Sequence, residues 1–218
     1  MVQKISSHNS QSSDPSFQLS DAERQRLQQN RQLLLAQLAQ GNSLQWILNS
    51  LIQRIESADP SLTGAVFLRQ TESDRLDLIA APSLDPLARD ALLRAEPHVG
   101  GGICGQAVLS GERIEFIHFG KHPCPACRQL GGLPQFQACW AEPISNQGGE
   151  TIGVFAFYCR LPKHPDLRQI ALLKHSASLA RISIEGCRET LALTLAQTNW
   201  QSAQQAIVAT DLAYRVQS

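Results

Sequence analysis

The chain has 218 residues, 43% of them hydrophobic, with Lys plus Arg equal to Asp plus Glu at 19 each. That length and apolar share suit one core-bearing domain with extensions, and a neutral chain without a basic stripe speaks against a nucleic-acid partner. No apolar run nears the roughly 18 residues that cross a bilayer, and the N-terminal text lacks an apolar export core, so a cytoplasmic protein without membrane insertion is expected.

Residues 1–18 are rich in Ser, Gln and Asn and carry too little apolar surface to offset ordering entropy, which predicts a disordered segment. A helix is predicted over 19–41, with Ser20 as N-cap, Glu23 at the capping-box position and Gly41 at its end. Leu27, Leu34 and Leu38 form one stripe on it that requires a partner helix. A second helix starts at Ser43 and stops before Pro60, with Leu44, Ile47, Leu48, Leu51, Ile52 and Ile55 on one broad apolar face. Trp46 on this helix is expected in helix–helix packing.

"LTGAVFLRQ" and "LDLIAA" read as a hairpin around "TESDR", and "DPLARDALLRA" as a short helix. "GGGICGQAVLSGE" is a glycine-rich turn running into a helix; it lacks the Lys-Ser that a phosphate-binding loop needs, so its glycines are assigned to tight turning. "RIEFIHF", "FQACWAEPIS" and "TIGVFAFYCR" are three further strands, the last two joined through "NQGGE". A long helix begins near Pro165–Asp166 and extends to about Asn199, with apolar contacts from Leu172, Leu179, Ile182, Ile184, Cys187 and Leu191. This order of elements is α+β, with one central antiparallel sheet flanked by helices.

The ten residues "HFGKHPCPAC" hold two histidines and two cysteines. His118, His122, Cys124 and Cys127 make an H-x3-H-x-C-x2-C arrangement, and a C-x2-C turn can present both sulfurs to one metal. Three readings stay open: a zinc site, a redox-active C-P-x-C dithiol, and a loop without special chemistry. Cys104 and Cys139 would add thiolates for an iron–sulfur cluster if they lie nearby. Six cysteines without an export signal are otherwise expected as reduced thiols. No close carboxylate pair and no G-x-S-x-G motif marks a hydrolytic site.

"GGGICGQAVLSGERIEF", followed by "FQACWAEPISNQGGETIGVFAFYCRLPKHP", resembles the GAF domain of bacterial signalling proteins in the order of its pieces. The resemblance implies a sheet of about six antiparallel strands over residues 42–188, and a pocket for a small-molecule ligand. On the motif positions, that pocket would use Cys104, Phe116, His118, Cys139, Trp140, Glu142 and Phe155. It further implies a sensory role, relayed through N- and C-terminal helices paired in a homodimer. Leu34, Leu38, Leu172, Leu179 and Leu191 would supply the heptad-like contacts. A bilin is not expected, because Cys127 is followed by Arg128 rather than His.

"GVCG" of the GAF-related free methionine-(R)-sulfoxide reductases resembles Ile103–Cys104–Gly105, which implies an alternative as a thiol enzyme. Cys104 would act there with Cys124 or Cys127, although that family's "HIACD" loop and acidic substrate-binding residues have no match. Residues 189–218 are expected as a linker helix and the opening of a PAS-like domain, since Ile207, Val208, Thr210 and Asp211 resemble its first strand. A strand ending there leaves its backbone unpaired, which suggests a piece of a longer signalling protein.

Overall fold

The computed structural model describes residues 21–94, 97–133 and 136–216. The expected disordered segment and the Ser20 cap lie outside them. Two helices come first, α1 (Asp21–Ala39) and α2 (Leu44–Ala58). Ser43 caps α2, its Oγ accepting the Trp46 N–H at 3.3 Å. The strands are β1 (Leu62–Arg69), β2 (Leu76–Ala80), β3 (Ile114–Ile117), β4 (Ala138–Ser145) and β5 (Thr151–Cys159). Between β2 and β3 lie α3 (Pro86–Arg94) and α4 (Gly102–Ser110), and between β3 and β4 lies α5 (Pro125–Leu130). The last element is α6 (Leu167–Val216).

The strands form one sheet in the order β2-β1-β5-β4-β3, with every neighbour antiparallel. β5 lies at its centre, and all nine of its residues are buried. A strand covered on both faces cannot alternate apolar with polar, and "TIGVFAFYC" does not. α1, α2 and α6 cover one face, where Ile47, Leu48, Ile52, Leu173 and Ile184 pack against Trp140, Phe155 and Phe157. α3, α4 and α5 cover the other, packing against Phe67, Cys139 and Tyr158. The start of α6 is tied to the end of α2, where the Gln169 amide donates to Asp59 at 3.0 Å.

The α+β class with one antiparallel sheet flanked by helices holds, and the described residues form five of the about six strands expected. Several finer expectations are corrected. Beyond β2, pairing is reduced to a single bridge between Arg75 and His98. The chain leaves that edge at Gly100, whose φ of +80° turns it away before a ladder can propagate. "HFGKHPCPAC" is not an open loop: it holds a 3₁₀ turn at Phe119–Lys121 and the first turn of α5. Trp46 is about half exposed rather than packed between helices.

The C-terminal helix runs past Asn199, and residues 207–211 are helical instead of a strand. A helix satisfies its backbone within one segment, whereas a strand needs a neighbour, and the described residues offer none there. The leucines expected to join two copies are partly spent within one. Leu34 and Leu179 are buried in the core, and Leu38 packs over Gly186 of α6. Leu191 alone of that set is well exposed, within a stretch, 188–201, that is exposed throughout. Among the described residues, no helix is long and apolar enough to cross a membrane.

Leu48 has no exposed surface. Leu48→Ala is expected to cost about 2–5 kcal/mol of stability, read from the urea midpoint. Burial pushes the thiols of Cys127 and Cys159 from 9.0 up to about 12. Between pH 9 and 12 the folded state thus holds two protons that the unfolded chain releases, so the contribution of these two thiols to stability is constant below about pH 9 and is lost as pH rises towards 12. Urea midpoints measured from pH 8 to 11 should show this fall, with a shallower slope in Cys159→Ala.

Candidate functional site

The glycine-rich turn positions the first functional side chain. Gly100 and Gly102 have φ of +80° and +62°. The turn is laced by Gly100 N–H to Gly105 O at 2.7 Å and Gly101 N–H to His98 O at 2.9 Å. A Cβ on Gly105 would stand 1.9 Å from the His98 carbonyl oxygen, so the turn closes only on glycine there. The turn opens directly into the first turn of α4, where Cys104 is buried against the sheet.

β4 and β5 supply the opposite wall. Cys139 and Tyr158 are direct cross-strand partners and share the α4-facing side. The Cys104 Sγ lies 3.7 Å from the Tyr158 hydroxyl. Tyr158 is held edge-on against Phe136, with ring centroids 4.8 Å apart and planes at 88°. Together these elements enclose a cavity of about 50 Å³. The thiols of Cys104, Cys124, Cys127 and Cys139 all border it, with Phe67, Phe119 and Tyr158 as its apolar walls. That volume holds a few water-sized groups. Among the described residues, its lining carries no carboxylate, lysine or arginine.

The thiols differ in acidity. A hydrogen bond from Cys139 holds Cys104 below the usual thiol range against the cost of burial, and Tyr158 adds to the effect. Burial raises Cys139, and the neighbouring Cys104 raises it further. Tyr158 is raised by burial and by the same neighbour. Cys104 is therefore the most readily ionised of this group. Cys127 is pushed up to about 12 by burial, with Cys124 and Cys104 nearby adding to it.

His122, Cys124 and Cys127 form a second grouping at the same cavity, their ligand atoms all within 4.8 Å of one another. The His122 ring is 2% exposed and packs on Phe116, with centroids 4.3 Å apart. Its Nδ1 accepts the Cys124 N–H at 3.0 Å, and burial, helped by Arg128, keeps the ring below its usual pKa. His118 does not join. It is exposed, with φ of +63°, at the bend where β3 ends. Cys104 and Cys139 border the same cavity but fall outside this three-residue grouping.

Of the residues assigned to a ligand pocket, Cys104 and Cys139 line this cavity and the others lie elsewhere. Phe116 packs behind His122. Trp140 and Phe155 point to the α6 side, as the alternation of a strand requires after Cys139 and before Ala156. Glu142 is on that side too, 3.7 Å from Arg113, and burial raises its pKa. Arg113 also binds Glu115, which contacts His164 at 3.2 Å. Tyr158 and Phe67 were not foreseen as pocket residues. Period-2 counting on β5 from its pairing with β4 places Tyr158 beside Cys139, but that needs the register.

Comparison with known proteins follows this geometry. The family model described as the GAF domain matches residues 41–185. The methyl sulfide methyltransferase-associated sensor of Methanosarcina acetivorans is 33% identical over 186 residues, covering 85% of this chain and 18% of that protein. The chain thus spans less than a fifth of that relative. Free methionine-R-sulfoxide reductase from Neisseria meningitidis superposes with a TM-score of 0.61 at 23% identity, over 80% of this chain and 96% of that one. The GAF domain of an Acinetobacter phosphoenolpyruvate-protein phosphotransferase gives 0.61 at 14% identity, over 78% and 97%. At such identities the superpositions speak for the fold alone. The matched family model, spanning the five-stranded sheet and both of its helical faces, makes this chain a member of the GAF domain family.

Proposed function

We propose that the chain is a sensory GAF module whose input is a small ligand, or a change in thiol or metal state, in the four-cysteine cavity. Its output is the position of α6, carried to a following signalling module through helices paired between two copies. Residues 19–41 act as an N-terminal signalling helix, 42–188 as the sensor and 189–218 as the linker to the next module, with a PAS-like domain as the expected recipient.

One observation carries this reading. Cys139 lines the cavity, and the next residue, Trp140, packs on the α6 side, donating its indole N–H to the Lys163 carbonyl at 3.1 Å. Lys163 sits in the short connection that leads into α6. A shift of β4 on the cavity side is therefore felt at the root of the helix. The 33%-identical relative is itself called a sensor, which agrees with this reading. The exposed Leu191, Leu193, Leu195 and Trp200 provide apolar surface for helix pairing, in place of the buried Leu34 and Leu179.

A second reading, reduction of free methionine-(R)-sulfoxide, is favoured by the acidity of Cys104. There its thiolate attacks the sulfoxide sulfur, methionine leaves, and a second cysteine converts the sulfenic acid to a disulfide with loss of water. Among the described residues the cavity lining offers no carboxylate for the substrate ammonium, and the sensory reading is preferred.

In a Trp46→Phe/Trp200→Phe background, emission reports Trp140 alone. Modification with methyl methanethiosulfonate should shift that emission, and Cys104→Ser should abolish most of the shift; an unchanged spectrum with modified thiols removes the sensory reading. Incubation with free methionine-(R)-sulfoxide and dithiothreitol should yield no methionine above the buffer rate. Turnover lost in Cys104→Ser would instead establish the enzyme.

A further inference from the structure

The grouping of His122, Cys124 and Cys127 is left unused by the Cys104–Cys139–Tyr158 wall. We propose that these three side chains bind one thiophilic metal ion of the zinc class, with its fourth coordination position open to the cavity. The role of such an ion rests on the sensory reading above, whereas its binding does not.

The donor set and its spacing come first. In a tetrahedral zinc site, bonds of about 2.3 Å to sulfur and about 2.0–2.1 Å to nitrogen set the ligand atoms roughly 3.5–3.8 Å apart. The three ligand atoms already lie within 4.8 Å of one another without an ion, so contraction by at most about 1.3 Å fills three of the four positions of a tetrahedral shell. Two thiolates and a neutral imidazole balance the charge of a divalent ion. A neutral complex suits a site where His122 is 2% and Cys127 9% exposed.

The surroundings hold the three residues in place. The Arg128 guanidinium donates to the His122 carbonyl at 3.1 Å and to the Pro123 carbonyl at 3.0 Å, clamping the segment before α5 onto its first turn. Phe116 backs the imidazole. Gly102 leaves room for the sulfur, since a Cβ there would stand 2.7 Å from the Cys127 Sγ. The Ile103 backbone N–H faces that same sulfur, as outer-shell donors to metal-bound thiolates do. On binding, the two thiols release their protons, and His122 exchanges the hydrogen bond from Cys124 N–H for the metal.

Cys124 and Cys127 both border the cavity, so a donor entering it can complete the shell. Three protein ligands with one exchangeable position is the pattern of zinc sites that bind a further group, not of closed structural ones.

The test uses the full chain, purified without a tag, reduced and stripped with chelator. Cobalt(II) serves as the spectroscopic probe and zinc(II) as the competitor. One equivalent of cobalt should produce thiolate charge-transfer and tetrahedral d–d absorption, bleached by one equivalent of zinc. Cys124→Ser, Cys127→Ser and His122→Ala should each weaken zinc binding at least tenfold, and His118→Ala should leave it unchanged. Because Cys124 is only half-buried, its variant tests the site even if Cys127→Ser fails to fold. Absence of the cobalt bands, or wild-type affinity in Cys124→Ser, overturns the proposal. Zinc binding with a silent Trp140 keeps the metal site and removes only its role as the sensed input; a Trp140 that responds to thiol modification in a protein that binds no metal removes the metal site alone.

Discussion

Burial of β5 on both faces is the constraint from which the rest of the molecule follows. A nine-residue strand without one exposed side chain cannot lie at an edge or under a single helical layer. It requires neighbours on both sides, which β1 and β4 supply, and helices above and below, which α2 with α6 and α3 with α4 supply. The two faces then become two separate cores joined only through the strands between them. From Ala138 to Ala141 and from Val154 to Cys159 the residues of β4 and β5 alternate between the two. That division makes Cys139 and Trp140 neighbours in sequence and opposites in environment.

The two cores are built differently. The α6 side is filled by branched aliphatic side chains, by Trp140 and by the Phe155–Phe157 pair at 5.3 Å. The α4 side mixes glycines, thiols and aromatic rings around a gap. Small residues in the turn before α4 allow close backbone approach, and the same smallness leaves volume unfilled. The cavity is thus a by-product of the turn that places Cys104, and its walls are soft donors because cysteine is the small side chain chosen at four places around it.

Much of this was legible in the sequence, and the gaps have physical causes. Period-3.6 patterning and the Ser43 cap predict α2, and "TIGVFAFYCR" reads as a strand, though that both its faces are covered emerges only from the packing. Cys104 and Cys139 were found because they sit in recognisable turns and strands. Trp140, Glu142 and Phe155 were assigned to the pocket from motif position, but strand alternation turns all three to the α6 face. His118 and His122 are four residues apart and looked equivalent; the left-handed residue at 118 separates them, and backbone conformation of that kind is not written in residue type. Tyr158 required the β4–β5 register, which is a property of pairing and not of either strand alone.

α6 has a consequence of a mechanical kind. At 1.5 Å per residue its fifty residues extend about 75 Å, and past residue 187 the stretch 188–201 is exposed throughout. From residue 187 to Val216 the helix measures about 43 Å, starting where it crosses α1 at Gly186 and Leu38. A tilt of about 5° at that crossing would displace the far end by about 4 Å. The domain itself can therefore stay nearly rigid while its terminus sweeps a distance comparable to a helical turn.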